Sequence, residues 1–416
     1  MIIIQYNGLM KKLLFLCSIL ILSPILLIQA EPLFSPTWEF RLDLPEGYEL
    51  SGGDRKNSFS FKSSFGTSLD IMVYPDKASV AALAEEMEKR LSNRGKTHLF
   101  TYNNKETAVM ELEIGQGRDV MTGWALCLEL EMQVAASTKG GPNTKAYMVA
   151  LAYGPPKPEL QCFHLSVLDS IEGGEGDRHL PGAMTTFLHP RGKWFTAKLA
   201  NSNEVAHFRE NDDVAAQSVV DREFEVMKFY LESKLWQEAW KRFYRAIFKD
   251  AFDRLEDAAF LLERSWNNKV LGPSGEGEKL EEVQRLGTRN AEGFYVASKA
   301  LEWVQGFEYE RDLTGSDFVN LVTAAREGRG DCDSRAMLWA IIIAQAHVPS
   351  GIMVSREYSH AMGLADLEGE GARFPMKNNS GKAIRWLVAE TTAKVALGLI
   401  GETVSEESKW LGITFE

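Results

Sequence analysis

The stretch GRGDCDSRAMLWAIIIAQA, residues 328–346, sets a cysteine between two aspartates where a loop gives way to a strongly apolar helix. Cys332 there either packs, pairs or reacts. The chemistry open to it is nucleophilic, because the thiolate is the attacking form and a helix N-terminus favours the thiolate through its dipole and its unpaired N–H groups. Gly328 and Gly330 permit an unusual approach turn, and Asp331 is placed to cap the helix. The same N–H groups suit the oxyanion of an acyl intermediate. Asp331 and Asp333 act against this, since neighbouring carboxylates raise a thiol pKa. A base or cation is therefore needed nearby.

Seven histidines are available. His98, His164, His179, His189 and His207 all precede the region of Cys332. His347, in QAHVPSGI, reads as part of a turn from helix to strand. His360 differs: VPSGIMVSREYSHAMGLADL reads as two strands broken at REYS, and His360 opens the second. A helix followed by adjacent strands can bring such residues side by side. In RWLVAETTA, Leu387, Val388 and Ala389 read as a strand with Glu390 at its end. A carboxylate there can accept the second imidazole N–H, orient the ring and favour imidazolium. Cys332, His360 and Glu390 stand in the order of nucleophile, base and orienting group.

The segments GDCDSRA, SHAMGLADL and WLVAETT, with WVQGFEYERD ahead of them, resemble the transglutaminase-like superfamily of papain-fold cysteine enzymes. The resemblance spans roughly residues 285–402. It implies that Cys332 is the nucleophile, His360 the general base and acid, and Glu390 the orienting carboxylate. It also offers Gln305 the place of the glutamine that supplies an oxyanion donor in papain-like enzymes, although the local pattern alone makes it a helix-end residue. Glu390 stands where most members carry aspartate. Met362 replaces the usual aromatic after the histidine, so substrate selection is not legible. Neither a cofactor nor a metal is implied by a thiol mechanism.

These residues need a framework. An α+β chain is expected: an N-terminal α/β sandwich over 33–172, a helical connector over 190–271 and a transglutaminase-like domain over 279–416. In the first region WEFRLDL, SFSFKS, SLDIMVY, TAVMELEI, WALCLELEM, AYMVALAYG and CFHLSVLDSI alternate like strands, and VAALAEEMEKRLSNRG reads as a helix closed by Gly95. WEFRLDLPEGY and SVLDSI weakly resemble the PsbP-like sandwich families, which implies a fold and no activity. Cys127 and Cys162, on two such strands, would form a disulfide if they share a face of one sheet; two separate buried thiols are the equal alternative. EGGEGDRHLPG and GPSGEGE (residues 272–278) read as breaks between these regions.

The connector shows two apolar stripes, one of Val220, Phe224, Met227 and Leu231, the other of Trp236, Trp240, Phe243 and Ile247. The aromatics read as core between helices, with a ligand or partner groove as the alternative. The basic run KRFYR reads as a solvated helical edge.

Residues 1–30 read as a signal peptide, with Lys11 and Lys12 ahead of an apolar run that ends at Ala30. The expected location is the periplasm or cell envelope, or outside the cell, with membrane contact only if that segment is retained. The 416 residues carry a net charge of -12, which disfavours nucleic acid as a partner. A protein or peptide substrate, including cell-wall peptide, fits a cysteine-dependent acyl-transfer enzyme that hydrolyses peptide or amide bonds. The alternative is an inactive envelope binding or scaffold protein that holds such ligands in its papain-like domain.

Overall fold

The computed structural model describes residues 32–130, 145–270, 288–310, 318–377 and 383–415. The expected signal segment and the GPSGEGE joint lie outside the described residues. The fold is α+β, built on two antiparallel sheets with helices packed against both.

The first sheet has seven strands: Tyr48–Gly52, Ser58–Ser63, Ser68–Tyr74, Thr97–Tyr102, Lys105–Ile114, Met121–Leu130 and Ala146–Gly154. The first three run in order, the last pairs beside the third, and the remaining three return in reverse. Strict alternation gives each face its own core. On Met121–Leu130, Leu126, Leu128 and Leu130 pack under the helix Gln161–Asp169, while Ala125 and Cys127 pack under the helix Val80–Leu91. The sheet is thus covered on both faces.

Four expectations fail in this region. CFHLSVLDSI is the helix Gln161–Asp169, not a strand. Its Phe163, Val167 and Leu168 recur at helical spacing on the sheet, a stripe that also reads as alternation over a short window. That removes the disulfide. Cys127 and Cys162 are both free thiols, and the sheet lies between them, Cys127 in one core and Cys162 against the other. The helix Val80–Leu91 ends at Ser92, not at Gly95: Ser92 takes the left-handed turn (φ 48°), and backbone bonds to Glu88 and Lys89 close the helix. Of WEFRLDL only Arg41–Leu42 is strand, paired with Leu33–Phe34.

The second sheet holds Arg373–Lys377, Ala383–Ala389, His360–Ala365, Ser350–Ser355 and Leu411–Thr414, in that lateral order. The helix Cys332–Gln345 lies on one face, against Ile352, Val354, Ala361, Ala365 and Ala389. It is buried on all sides, as its apolar run requires. Its approach to the His360 strand depends on Gly363, where a Cβ would stand 2.3 Å from the Trp339 ring. Trp339 Nε1 in turn donates to Ala297 O at 2.9 Å in the covering helix Thr288–Gln305. Met353, Met362, Leu364, Trp386 and Trp410 form a separate core on the sheet's other face.

The intervening region joins both cores. It opens with the hairpin Trp194–Lys198 and Val205–Arg209, whose Ala206 and Phe208 belong to the C-terminal core. From the helices Asp212–Lys228 and Trp236–Arg254, Val226 and Ala239 pack toward the seven-stranded sheet, while Val220, Phe243 and Ile247 pack toward the Cys332 helix. KRFYR is not a solvated edge. Arg242 bonds Glu223 at 2.6 Å, and Arg245 forks onto Asp43 at 2.8 and 2.9 Å. Arg222 joins Glu223 to Asp169 at 2.9 and 2.7 Å. Buried arginines at this seam are all paired, as low dielectric demands. Among the described residues no helix is long and apolar enough to cross a membrane.

Candidate active site

The loop into Cys332 is fixed by its own sequence. Gly328 ends the helix Leu321–Glu327 in the left-handed region (φ 69°), and a Cβ there would meet Ala200 at 2.7 Å. Arg335, one turn into the next helix, reaches back to Gly330 O at 3.1 Å and to Phe307 O at 2.7 Å, holding the turn against the preceding segment. Asp331 is the N-cap: its Oδ1 accepts from Ser334 N at 2.8 Å. Ser334 Oγ then accepts from Val319 N at 3.0 Å.

Cys332 is the first helical residue and is only 3% exposed. Burial pushes its thiol well above the ordinary range, and the carboxylates of Asp333 and Asp331 push it further. The backbone N–H groups of Ala361 and Asp333 act the other way, more weakly. The Ala361 influence puts the thiol in the neighbourhood of the strand that His360 opens.

His360 opens its strand, so its ring stands at the end of the sheet, edge-on to Trp410 with centroids 6.1 Å apart. His360 Nε2 lies 2.8 Å from Glu390 Oε2. The strand register makes this pair: Gly363 faces Ala389, so His360 and Glu390 fall on the same side of adjacent strands, in diagonal register. Glu390 Oε1 is taken by Thr392, whose N–H and Oγ1–H donate at 2.8 and 2.6 Å. Burial alone would raise the Glu390 carboxyl; the bond and charge of His360 and the two bonds from Thr392 outweigh it and hold it below the ordinary range. An ionised carboxylate only accepts, so Nε2 carries the hydrogen and a neutral ring keeps its lone pair on Nδ1.

Cys332, His360 and Glu390 therefore sit on the elements expected of them, with His360 and Glu390 in direct contact. Gln305 does other work. Its Nε2 donates to Glu390 O at 2.8 Å and to Val395 O at 2.9 Å, which uses both amide hydrogens. It anchors the chain on either side of the Glu390 turn and has no N–H left for an oxyanion, in keeping with its helix-end position.

Sequence reasoning missed four supporting residues. Tyr244, from the aromatic helix, donates its hydroxyl to Asp333 Oδ1 at 2.8 Å. Thr392 was visible as the second threonine of ETT, at the spacing where a hydroxyl folds back on a carboxylate. Arg335 stands inside GDCDSRA, but only the folded turn shows what it holds. Trp410 comes from the distant segment KWLGITF and carries no signal of its role.

The aromatic helix also supplies a wall. Phe224, Met227, Trp236, Trp240, Phe243 and Phe318 line a groove of about 350 Å³ whose polar lining is Asp331, Asp333, Tyr244 and Arg356. Phe243 and Tyr244 are buried in the core, while Trp236 and Trp240 are half-buried on the groove, so the two expected readings of this patch divide along one helix.

No protein-family model matches the chain, and no curated protein matches it. A solved structure from Bacteroides thetaiotaomicron VPI-5482 is similar over 68% of this chain and 81% of its own, at 13% identity and a TM-score of 0.23. That likeness carries no argument about fold or chemistry.

Proposed function

We propose that the chain is an exported, cysteine-dependent acyl-transfer enzyme that hydrolyses peptide or amide bonds through Cys332, His360 and Glu390. The observation that carries the reading is the 2.8 Å bond from His360 to a Glu390 held ionised, on the sheet against which the Cys332 helix packs. The resemblance to transglutaminase-like enzymes gives the same three residues the same roles.

In this mechanism His360 Nδ1 takes the thiol proton, and Glu390 stabilises the resulting imidazolium. The thiolate attacks the amide carbonyl. The C–N bond breaks as the imidazolium returns its proton to the leaving amine, and a thioester remains on Cys332. Water, deprotonated by His360, then releases the acid and the free thiol. N–H groups at the start of the Cys332 helix are suited to the oxyanion of both steps.

One observation favours the rival reading, a binding or scaffold protein of the envelope without turnover: burial and two carboxylates hold the thiol in its protonated form. Trapping separates the two. Incubation with peptidyl p-nitrophenyl esters followed by acid quench should leave an acyl mass adduct on the Cys332 peptide. Absence of an adduct, with peptide binding intact in both wild type and Cys332→Ser, would overturn the enzyme.

A further inference from the structure

Trp236, Trp240 and Tyr244 recur every four residues on one helix, with ring centroids 5.7 and 6.4 Å apart along the series. The ladder starts at the rim, where the Arg356 guanidinium lies 6.0 Å over the Trp236 ring. It ends at Tyr244, hydrogen-bonded to Asp333 beside the nucleophile. The opposite wall is apolar: Phe224, Met227 and Phe318, with Leu231 54% exposed at the edge. A groove of about 350 Å³ is at the small end of ligand sites, and it suits one or two side chains. Asp331 and Asp333, the two residues that flank Cys332, belong to its lining. Cys332 itself does not line the groove, so an occupant lies beside the nucleophile turn rather than on the thiol.

We propose that this groove is the specificity pocket of the site: it takes a large apolar or aromatic side chain of the acyl donor, close to the carbonyl that Cys332 attacks. This rests on the acyl-transfer reading for the words acyl donor, but the pocket itself stands on its lining. The occupant follows from that lining and from the continuity of the groove with the nucleophile turn. Aromatic and aliphatic walls reward burial of apolar area and offer little to a small or polar side chain. The helix that builds the ladder lies outside the region of transglutaminase-like resemblance, so specificity is delivered from a part of the chain that does no chemistry.

The test uses full-length Cys332→Ala protein, so that binding is read without turnover. Tetrapeptides Ac-Gly-X-Gly-Gly-NH2 with X as Phe, Leu or Gly are titrated by calorimetry. The Phe and Leu peptides should bind at least tenfold more tightly than the Gly peptide, the preference expected for burying one such side chain. Trp240→Ala should reduce the preference to threefold or less, and Trp240→Phe should restore it. Leu231→Arg, at an exposed edge position, gives the same reading should Trp240→Ala fail to fold. Equal affinity for all three peptides, or a preference that survives both Trp240→Ala and Leu231→Arg, would overturn the pocket. Preference without an acyl adduct in the wild type would overturn the enzyme and leave the pocket standing; an adduct without preference would do the reverse.

Discussion

Cys127 lies in the middle of a strand of the seven-stranded sheet, under the Val80–Leu91 helix, and burial alone pushes its thiol up to about 12. Cys332 lies at the first turn of a helix at the end of the five-stranded sheet, and its thiol is raised too, by burial and then by Asp333 and Asp331. The two thiols differ in what surrounds them. Around Cys127 there is only apolar packing. Around Cys332 there are two N–H groups, a capped helix start, and the His360 strand with Glu390 beside it. Two glutamates repeat the contrast. The Glu46 carboxylate, under the helices that join the two cores, has no hydrogen-bond partner on another described residue; burial raises it to about 7 despite the nearby Arg242 charge. Glu390 has three hydrogen bonds and is held low. Burial by itself silences an ionisable group; burial with oriented partners makes it useful.

The sharpest way to break this contrast is to exchange the cysteines' fates. Cys332→Ala should reduce acyl transfer by about 10⁵-fold or more, the loss expected when a covalent nucleophile is removed. Cys127→Ala should leave kcat/KM unchanged. Equal losses in kinetic assays of the two variants would mean that both thiols serve only the fold.

A smaller effect is expected at the orienting carboxylate. Glu390→Gln keeps the shape but removes the charge that stabilises imidazolium, and should cost about 10²–10⁴-fold in kcat/KM. Because its folded pKa is depressed, the carboxylate's contribution to stability is complete above the ordinary value of 4.5 and is lost as pH falls below it. Chemical denaturation from pH 7 to pH 3 should show that loss in the wild type and not in Glu390→Gln.

The smallest effect falls at Glu46 and has the opposite sign. Its folded pKa is raised, so below 4.5 it is protonated in both states and costs nothing. As pH climbs toward 7 the unfolded chain ionises first and stability falls. Glu46→Gln should therefore be more stable than wild type at pH 8, by roughly 3–4 kcal/mol at about 1.4 kcal/mol per pK unit, and equal to it at pH 4. A variant no more stable at pH 8 would mean that Glu46 is solvated.

Where local pattern decides structure, the sequence was legible. The cap at Asp331, the all-apolar helix after it, the strand opened by His360 and the strand end at Glu390 each follow from a few adjacent residues. What failed depended on tertiary partners. CFHLSVLDSI is short enough to satisfy either period, and only the sheet beneath it selects the helix. Arg242 and Arg245 look like surface charge until Glu223 and Asp43 arrive from elsewhere in the chain. Gln305 was placed at a helix end correctly, but which groups its amide meets depends on the Glu390 turn. Trp410 and Tyr244 reach the site across long stretches of chain, and no spacing announces them.

The most direct test of the central claim is the alkylation rate of Cys332 as a function of pH, in wild type and in His360→Ala, with Cys127 and Cys162 followed separately by peptide mapping. Burial, Asp333 and Asp331 raise the Cys332 thiol, and a working pair with His360 as general base must overcome them: it predicts that Cys332 reacts below about 8.5, the ordinary free-thiol value, in wild type and not in His360→Ala. A Cys332 that is inert throughout, or that reacts identically in the two proteins, would contradict the account and leave its thiol as silent as Cys127.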